Sequence, residues 1–562
     1  MVTEEDNRIV WLFGESGSGK SSVAYTLAKQ LSAQDKLAAT FFFSRTHADR
    51  SDTSLVFLTL AYQIGLLHPR AKDIIAKAIN NDPELLSSAK CRSDQFEHLV
   101  KAPLKSLRLV WETPRKIVLD AIDEGVTSDR ASLEPLILAM NDLIHDPSIP
   151  ISHVLVTSRP SPLLDTLLRR LTAEGSVQSL NIQHFDSHHD VELFLRHSFD
   201  EIYDMRDISF LHEKPWPSSR VISSLSCRIK GRFIVAATVV RLISKSESPG
   251  DCLDLISKMY DGNVDTVDLD LGDIDSIYRY VLSSCEEHNQ RSGVEHLSDI
   301  MVLAKPLTLP DICALSGVDI SKHIVHLSAI VVLPPMYSLM TVQVYHSSLQ
   351  DYLWDKSRSG DFHVSPLSSH DRLAGWCFQL IKRKLKGDET KVQAVEDAKQ
   401  IKTPLRYAMS YWCYHLQRSE PSRRVRALTH DFVKNRAVLF LETAAALGQF
   451  AEAMYCLIHA WFVISRWKPF LNQDEILAGL EVHWRAYNHY LAERSRAPGG
   501  SSKGPTRARS GSTGTKHVSA VVELETGGQT AAHSQPPSAG IMPTADLTML
   551  PEVSSWPYFR SF

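Results

Sequence analysis

No stretch of this chain is apolar for long enough to cross a bilayer. The longest candidate runs only from Phe233 to Val240, against the roughly twenty residues a spanning helix needs. Cysteine is sparse: there are 8, and no two are closer than Cys227 and Cys252. That spacing excludes a C-x-x-C zinc or redox motif and fits reduced thiols in a cytosolic protein. Neither sign of charge dominates. Lys and Arg number 61, Asp and Glu 65, and the net charge of −4 gives no global electrostatic case for nucleic acid. The opening residues Met1–Arg8 carry no basic segment leading into an apolar core, so no signal peptide is expected and the cytoplasm is the default location. No fixed period of about 20–50 residues recurs. No Ser-His-Asp or Cys-His arrangement stands out either.

What is present is globular. Hydrophobic residues make up 43% and charged ones 22%, which argues against disorder. A chain of 562 residues suggests three or four domains. The strongest local signal is Gly14-Glu15-Ser16-Gly17-Ser18-Gly19-Lys20-Ser21, directly after the apolar run Ile9–Phe13. G-x-x-x-x-G-K-S between a strand and a helix is a P-loop. Its glycines let backbone N–H groups turn toward phosphate oxygens. Lys20 reaches the β/γ-phosphates and Ser21 offers its hydroxyl to Mg²⁺. A helix expected from about Ser22 to Leu31 points its positive end at the same anion. Gly14 through Ser22 are therefore the candidate residues for ATP or GTP with Mg²⁺.

Five β-rich runs alternate with helical patterns up to about residue 185: Ile9–Phe13, Ala38–Phe43, Lys116–Asp120, His153–Thr157 and Val177–Ile182. Phe41-Phe42-Phe43 and Val154-Leu155-Val156 are continuous rather than alternating, as in strands covered on both faces. The fold class expected is an α/β P-loop NTPase core with a parallel sheet. Helical and winged-helix domains should follow, then a mostly helical C-terminal region. Ligands of such a sheet sit at the carboxyl ends of its strands, so charged residues there matter. Asp120 ends Ile117-Val118-Leu119-Asp120 in a Walker B arrangement, suited to ordering Mg²⁺. Asp123 and Glu124 come just after it. They either orient or deprotonate an attacking water, or simply begin a helix, whose N-terminus favours acids. Arg159 ends the fourth run, before Pro160. It either senses γ-phosphate charge or is a strand-end arginine in solvent.

The series G-E-S-G-S-G-K-S, F-F-F-S-R, I-V-L-D-A-I-D-E and V-L-V-T-S-R-P resembles a NACHT domain, from the signal-transducing NTPases that include NLR immune receptors. The likeness is to fungal NACHT proteins, particularly those of mushroom-forming species. It implies Walker A at Lys20 and Ser21, Walker B at Asp120 with Asp123 and Glu124 as acidic companions, and a sensor arginine at Arg159. Lys230–Ala237 resembles the segment opening the family's helical domain, with Phe233 where many relatives place a proline against the adenine. Val344–Leu353 resembles the family's H-x-S-F-x-D-F-L stretch, with Leu349 for the aromatic. That resemblance implies a His346 that reaches the β-phosphate of a bound diphosphate. Leu303–Leu333, with short helices around Leu309–Leu315 and a β-like run Ile330–Leu333, reads as a winged helix. Read by itself, His346 is a helix-start histidine with Ser347 or Ser348 as cap.

The domains expected are an NTPase core at 1–185, a helical domain with an acidic linker at 186–295, a winged-helix-like domain at 296–360, a helical region at 361–494 and a disordered tail at 495–562. The tail is rich in Gly, Ser, Thr and Pro. Asp261–Gly272 lacks the glycine and glutamate of a calcium loop. Ser187-x-x-Asp190 reads as a capping box rather than as part of a metal site with His188 and His189. No effector domain is recognisable before the P-loop and no repeat array after it, so the chain is expected to be a minimal member, a fragment or an inexact gene model.

The function expected is a nucleotide-binding signalling switch, at most a slow NTPase. Di-/triphosphate exchange would drive opening and homo-oligomerisation, with an unidentified effector or sensor protein as partner. The resemblance implies fungal innate immunity or heterokaryon-incompatibility-type signalling. Two rivals remain: a P-loop phosphotransferase acting on a small substrate, and a nucleotide-bound interaction scaffold.

Overall fold

The computed structural model describes residues 8–496, except 46, 88–89, 126–129, 207, 209–212, 259–273, 285–286 and 386–402. The expected disordered tail, from residue 497 on, and the acidic stretch Asp261–Gly272 lie outside the described residues. The described chain forms two compact units, residues 8–307 with 321–364 and residues 308–320 with 365–496.

The first unit is built on five strands: β1 (Arg8–Phe13), β2 (Leu37–Phe42), β3 (Arg115–Asp120), β4 (Ile151–Ser158) and β5 (Val177–Asn181). Their order is β2-β3-β4-β1-β5 and every pairing is parallel. Each lies within two residues of its expected run. The continuous apolar sequences have the cause expected of them, because both faces are covered. On one face Val10, Leu12, Val118 and Leu155 pack against Ala24, Ala28 and Leu31 of helix α1 (Lys20–Ala33). On the other, Ile9, Trp11, Ile117, Leu119, Val154 and Val156 meet Leu136 and Ile137 of the helix Arg130–His145, and Leu164 and Leu168 of the helix Pro162–Ala173.

This arrangement sets where a ligand can sit. The connection leaving β1 runs to one face through α1, and the connection leaving its neighbour β4 runs to the other. Adjacent strands whose connections diverge leave a crevice at their carboxyl ends. The Trp11 indole N–H donates to Ser158 Oγ at 2.9 Å, tying β1 to β4 in the buried interior.

Helices follow the sheet, among them His188–Met205, Ser219–Ile229, Phe233–Lys245, Ile274–Ser283 and Glu287–Met301. The capping-box reading at Ser187 is corrected. Ser187 is the N-cap, but its side chain makes no cap hydrogen bond. Asp186 Oδ1 accepts from the His188 N–H at 2.9 Å instead. A small antiparallel hairpin pairs β6 (Val331–Val332) with β7 (Gln343–Val344), and the helix Ser348–Trp354 comes next. No helix among the described residues is long and apolar enough to cross a membrane.

The second unit is helical: Leu309–Ser316, Pro366–Lys384, Thr403–Arg418, Arg423–Asn435, Ala437–Ala446, Phe450–Ser465 and Gln473–Arg496. Trp412 is fully buried at its centre. Its ring lies 5.4 Å from Phe378, 5.1 Å from Phe432 and 6.3 Å from Phe440. Trp412→Ala removes the residue these rings pack around and should cost about 3–5 kcal/mol of stability. Denaturant unfolding followed by circular dichroism measures it. A loss below about 1 kcal/mol would mean that the cluster is not the core of this unit.

Candidate nucleotide-binding site

Gly14–Ser21 sits between β1 and α1. Gly17 and Gly19 have φ of 76° and 95°, the left-handed region that favours glycine. A Cβ on Gly17 would also come within 1.9 Å of Ile234 Cγ2. The turned loop aims its amides inward. The backbone N–H groups from Glu15 to Ser22 meet no acceptor among the described residues, and Val23 is the first residue of the helix whose N–H is bonded, to Gly19 O at 3.0 Å. Consecutive free N–H groups at a helix N-terminus form an anion site. Lys20 is 8% exposed. Its Nζ donates to Gly14 O at 2.8 Å and Glu15 O at 2.7 Å. Burial lowers its pKa to about 8, with the Arg159 charge adding to the depression.

Asp120, at the end of β3, is 3% exposed. It accepts from Thr157 Oγ1 at 2.6 Å and lies near enough to the Ser21 hydroxyl to feel its dipole. Thr157 in turn accepts from the Ala121 N–H at 2.8 Å. Burial raises the Asp120 pKa, against the pull of the Thr157 and Ser21 hydroxyls. Ser21 and Asp120 thus stand together beside the amide nest. One hydroxyl and one carboxylate beside phosphates is the donor set Mg²⁺ takes at such sites, where phosphates and water complete the octahedron. The residues present therefore fit a nucleotide phosphate chain with its ion.

The remaining candidates meet at the same edge. Asp123 Oδ1 accepts from the Arg159 N–H at 3.0 Å, and Oδ2 from Arg159 Nε at 2.6 Å. Arg159 Nη1 also donates to Asp351 Oδ2. Burial opposes charge on Arg159, but the Asp123 and Asp351 carboxylates outweigh it and hold the pKa above the ordinary arginine value. Arg159 is therefore not a strand-end arginine in solvent. Nor do Asp123 and Glu124 begin a helix: Ile122–Glu124 is a single 3-10 turn. Glu124 has both oxygens engaged. Oε1 accepts from Ser347 Oγ at 2.6 Å and Oε2 from the Arg45 N–H at 3.3 Å. Burial raises its pKa.

Ser347 is the N-cap of the helix Ser348–Trp354, yet its side chain makes no cap bond because it is turned to Glu124. His346 serves the helix instead, its Nδ1 accepting from the Ser348 N–H at 3.1 Å. That bond puts the ring proton on Nε2. Burial, with Arg159 and Lys20 adding their repulsion, lowers the His346 pKa to about 4, so the ring is a neutral donor at pH 7.

On the loop's other side, the Ile234 N–H donates to Gly17 O at 3.2 Å. Arg232 Nη2 pairs with Glu15 Oε2 at 2.6 Å. A Cβ on Gly19 would stand 3.6 Å from Phe233 Cδ2, which places that ring against the P-loop. Sequence reasoning gave no role to Arg45, Thr157, Arg232 or Asp351, and to Ser347 only that of a helix cap. Arg45 had an available signal, since it follows β2 at the carboxyl edge where the P-loop lies.

Among protein families, the model described as Nephrocystin 3, N-terminal, matches residues 1–159 of the 562. That span ends at Arg159 and holds the P-loop and Asp120. With the parallel sheet, it gives this part of the chain a P-loop NTPase-like fold. No curated protein matches the chain. Among solved structures, the Aeropyrum pernix ORC2 protein in ADPNP–ADP complexes is 14% identical. That alignment covers 60% of this chain and 84% of the other, with a TM-score of 0.28. Drosophila ORC bound to poly(dA/dT) DNA and Cdc6 is 12% identical, covering 93% and 66%, with a TM-score of 0.22. Likenesses this weak bear on neither the ligand nor the partners of this chain.

The Lys20 environment gives a pH signature. As pH rises through about 8, Lys20 loses its proton in the free protein, and binding a phosphate must restore it. Nucleotide affinity should therefore fall above pH 8, by up to about tenfold per pH unit. The phosphates, whose last pKa is near 6, are already ionised and do not compensate. Lys20→Arg keeps a fixed charge and should flatten the profile. Fluorescent-nucleotide titrations from pH 7 to about 9.5 measure it. A flat wild-type profile would mean that the Lys20 charge does not contact the ligand.

Proposed function

We propose that this protein is a nucleotide-dependent signalling switch of the NACHT kind, which binds ATP or GTP with Mg²⁺ in the crevice between β1 and β4. Gly14–Ser22 hold the phosphate chain, Ser21 and Asp120 hold the ion, and Phe233 lies beside the nucleotide. A bound diphosphate takes a hydrogen bond from His346 Nε2 and favours the closed arrangement, with the hairpin and its flanking helices acting as a winged helix. Exchange for the triphosphate favours an open form that self-associates and engages an effector or sensor protein. The resemblance to fungal NACHT proteins puts this in innate immunity or heterokaryon-incompatibility-type signalling.

One observation supports the reading most. A segment more than two hundred residues after the Walker B strand reaches back to the nucleotide site, with Ser347 on Glu124 at 2.6 Å and Asp351 on Arg159. A metabolite phosphotransferase has no need of such a reach. A switch needs it, because a ligand shifts a conformational equilibrium only through contacts that differ between the two states. The closed arrangement is also a poor hydrolase: Glu124 cannot orient a water while both its oxygens are engaged. Slow turnover that waits on departure of Ser347 follows from this.

His346→Ala removes one hydrogen bond to a charged group, about 1.5–3 kcal/mol. It should loosen the diphosphate about tenfold or more, spare the triphosphate, and raise the self-associated fraction without a stimulus. Thermal shifts with each nucleotide, read beside light scattering, measure it. An equal fall with both nucleotides and no new oligomer would leave His346 as a helix cap and nothing more.

A further inference from the structure

The Asp351 carboxylate is held between two arginines from different strand ends. Its Oδ1 accepts from Arg45 Nη1 at 2.7 Å, and its Oδ2 accepts from Arg159 Nη1. Arg45 follows β2, Arg159 follows β4, and both strands end at the edge that carries the P-loop. Arg45 is fixed at this spot by more than its ion pair. Its backbone N–H donates to Glu124 Oε2 at 3.3 Å, and Nη2 donates to Asp123 O at 3.4 Å. The Lys20 charge is felt at His346, five residues before Asp351. One small anion thus sits between two guanidinium forks beside the phosphate loop. Paired arginine forks recognise carboxylates and phosphates by the same geometry.

We infer that Asp351 stands in for the terminal phosphate of a nucleoside triphosphate, and that Arg45 is a second cation, with Arg159, for that phosphate. The inference rests on the nucleotide-switch reading above and adds Arg45 and Asp351 to it. In the diphosphate state Asp351 fills the space between the forks and draws the helix Ser348–Trp354 down onto the sheet edge. A terminal phosphate brings more negative charge to the same two forks and displaces the carboxylate. No bond is made or broken; one anion replaces another, and Asp351 leaves with its helix.

The two roles open to Arg45 give opposite signs. If it only clasps Asp351, Arg45→Ala loosens the closed state as Asp351→Asn does, and both variants raise preference for the triphosphate. If it binds the terminal phosphate, Asp351→Asn raises that preference and Arg45→Ala lowers it. The test titrates the full chain with ADP and with a non-hydrolysable ATP analogue, both with Mg²⁺, and repeats it with the guanine pair. Wild type, Arg45→Ala, Asp351→Asn and the double variant are compared. Arg45→Ala should weaken the triphosphate about tenfold or more and leave the diphosphate within about threefold. Asp351→Asn should tighten the triphosphate severalfold, and the double variant should lose that gain. Retained diphosphate binding shows that the variants fold; should Arg45→Ala lose it, Arg45→Gln decides by the same criteria. An Arg45 variant that matches Asp351→Asn in sign would overturn the inference and leave the switch reading in place. A wild-type chain that binds no nucleotide would overturn both.

Discussion

The guanidinium of Arg159 joins the two parts of the candidate site. Its Nε is bonded to Asp123, three residues past the end of β3, and its Nη1 to Asp351, 192 positions after Arg159. The cation is mostly shielded, with 21% of its side chain exposed. Removing one partner of a buried ion pair costs about 3–5 kcal/mol, because a desolvated charge is left behind. Arg159 and Asp351 are each about a fifth exposed, so solvent screening brings the cost below that range. A phosphate entering the same place avoids much of this cost by bringing its own negative charge. Departure of Asp351 is therefore unfavourable alone and far less so when an anion arrives, which is the behaviour a ligand-driven switch requires.

Everything around that cation follows from the order of the strands. Because β4 lies between β1 and β3, Arg159 emerges between the P-loop and Asp120. Because β2 flanks β3, Arg45 emerges beside Asp123 and Glu124. Thr157, the last residue but one of β4, is fully buried, with its hydroxyl bonded to Asp120 Oδ1. That contact fixes the carboxylate which Ser21 also meets. Four strand ends thus supply a lysine, two arginines and three acids to one crevice, and the chain beyond the sheet adds His346, Ser347 and Asp351. The P-loop is braced from the opposite side by Ile234, whose N–H holds Gly17 O and whose side chain leaves no room for a Cβ on Gly17.

Much of the core was legible in the sequence because its signals are local. Continuous runs such as Val154-Leu155-Val156 mark strands covered on both faces, and all five appear as strands. The spacing of the P-loop ties its chemistry to a strand and a helix in one short span. The partners of Arg159 were not legible in this way. Asp123 lies 36 positions before Arg159, and nothing local distinguishes an acid that pairs with an arginine from one that starts a helix. Asp351 is brought in only by the tertiary fold. Ser347 looked like a helix cap and is one by position, but the pull of Glu124 turns its hydroxyl away. Thr157 was hidden as an ordinary β-branched strand residue. In the second unit, the buried contact of His370 Nδ1 with His415 Nδ1 at 2.9 Å joins helices 45 residues apart and has no sequence signature.

Amide hydrogen exchange over residues 344–354 tests the central claim most directly, since it watches the segment that carries Ser347 and Asp351. In the structure the Leu349 N–H is bonded to His346 O, and the Gln350 and Asp351 N–H groups to Ser347 O. With Mg²⁺ and saturating diphosphate these amides should be protected. With a non-hydrolysable triphosphate they should exchange markedly faster, while the amides of β1 and β4 stay as slow as before. Equal protection of residues 344–354 in the two nucleotides, with binding of both verified in the same samples, would contradict a switch operated through this segment.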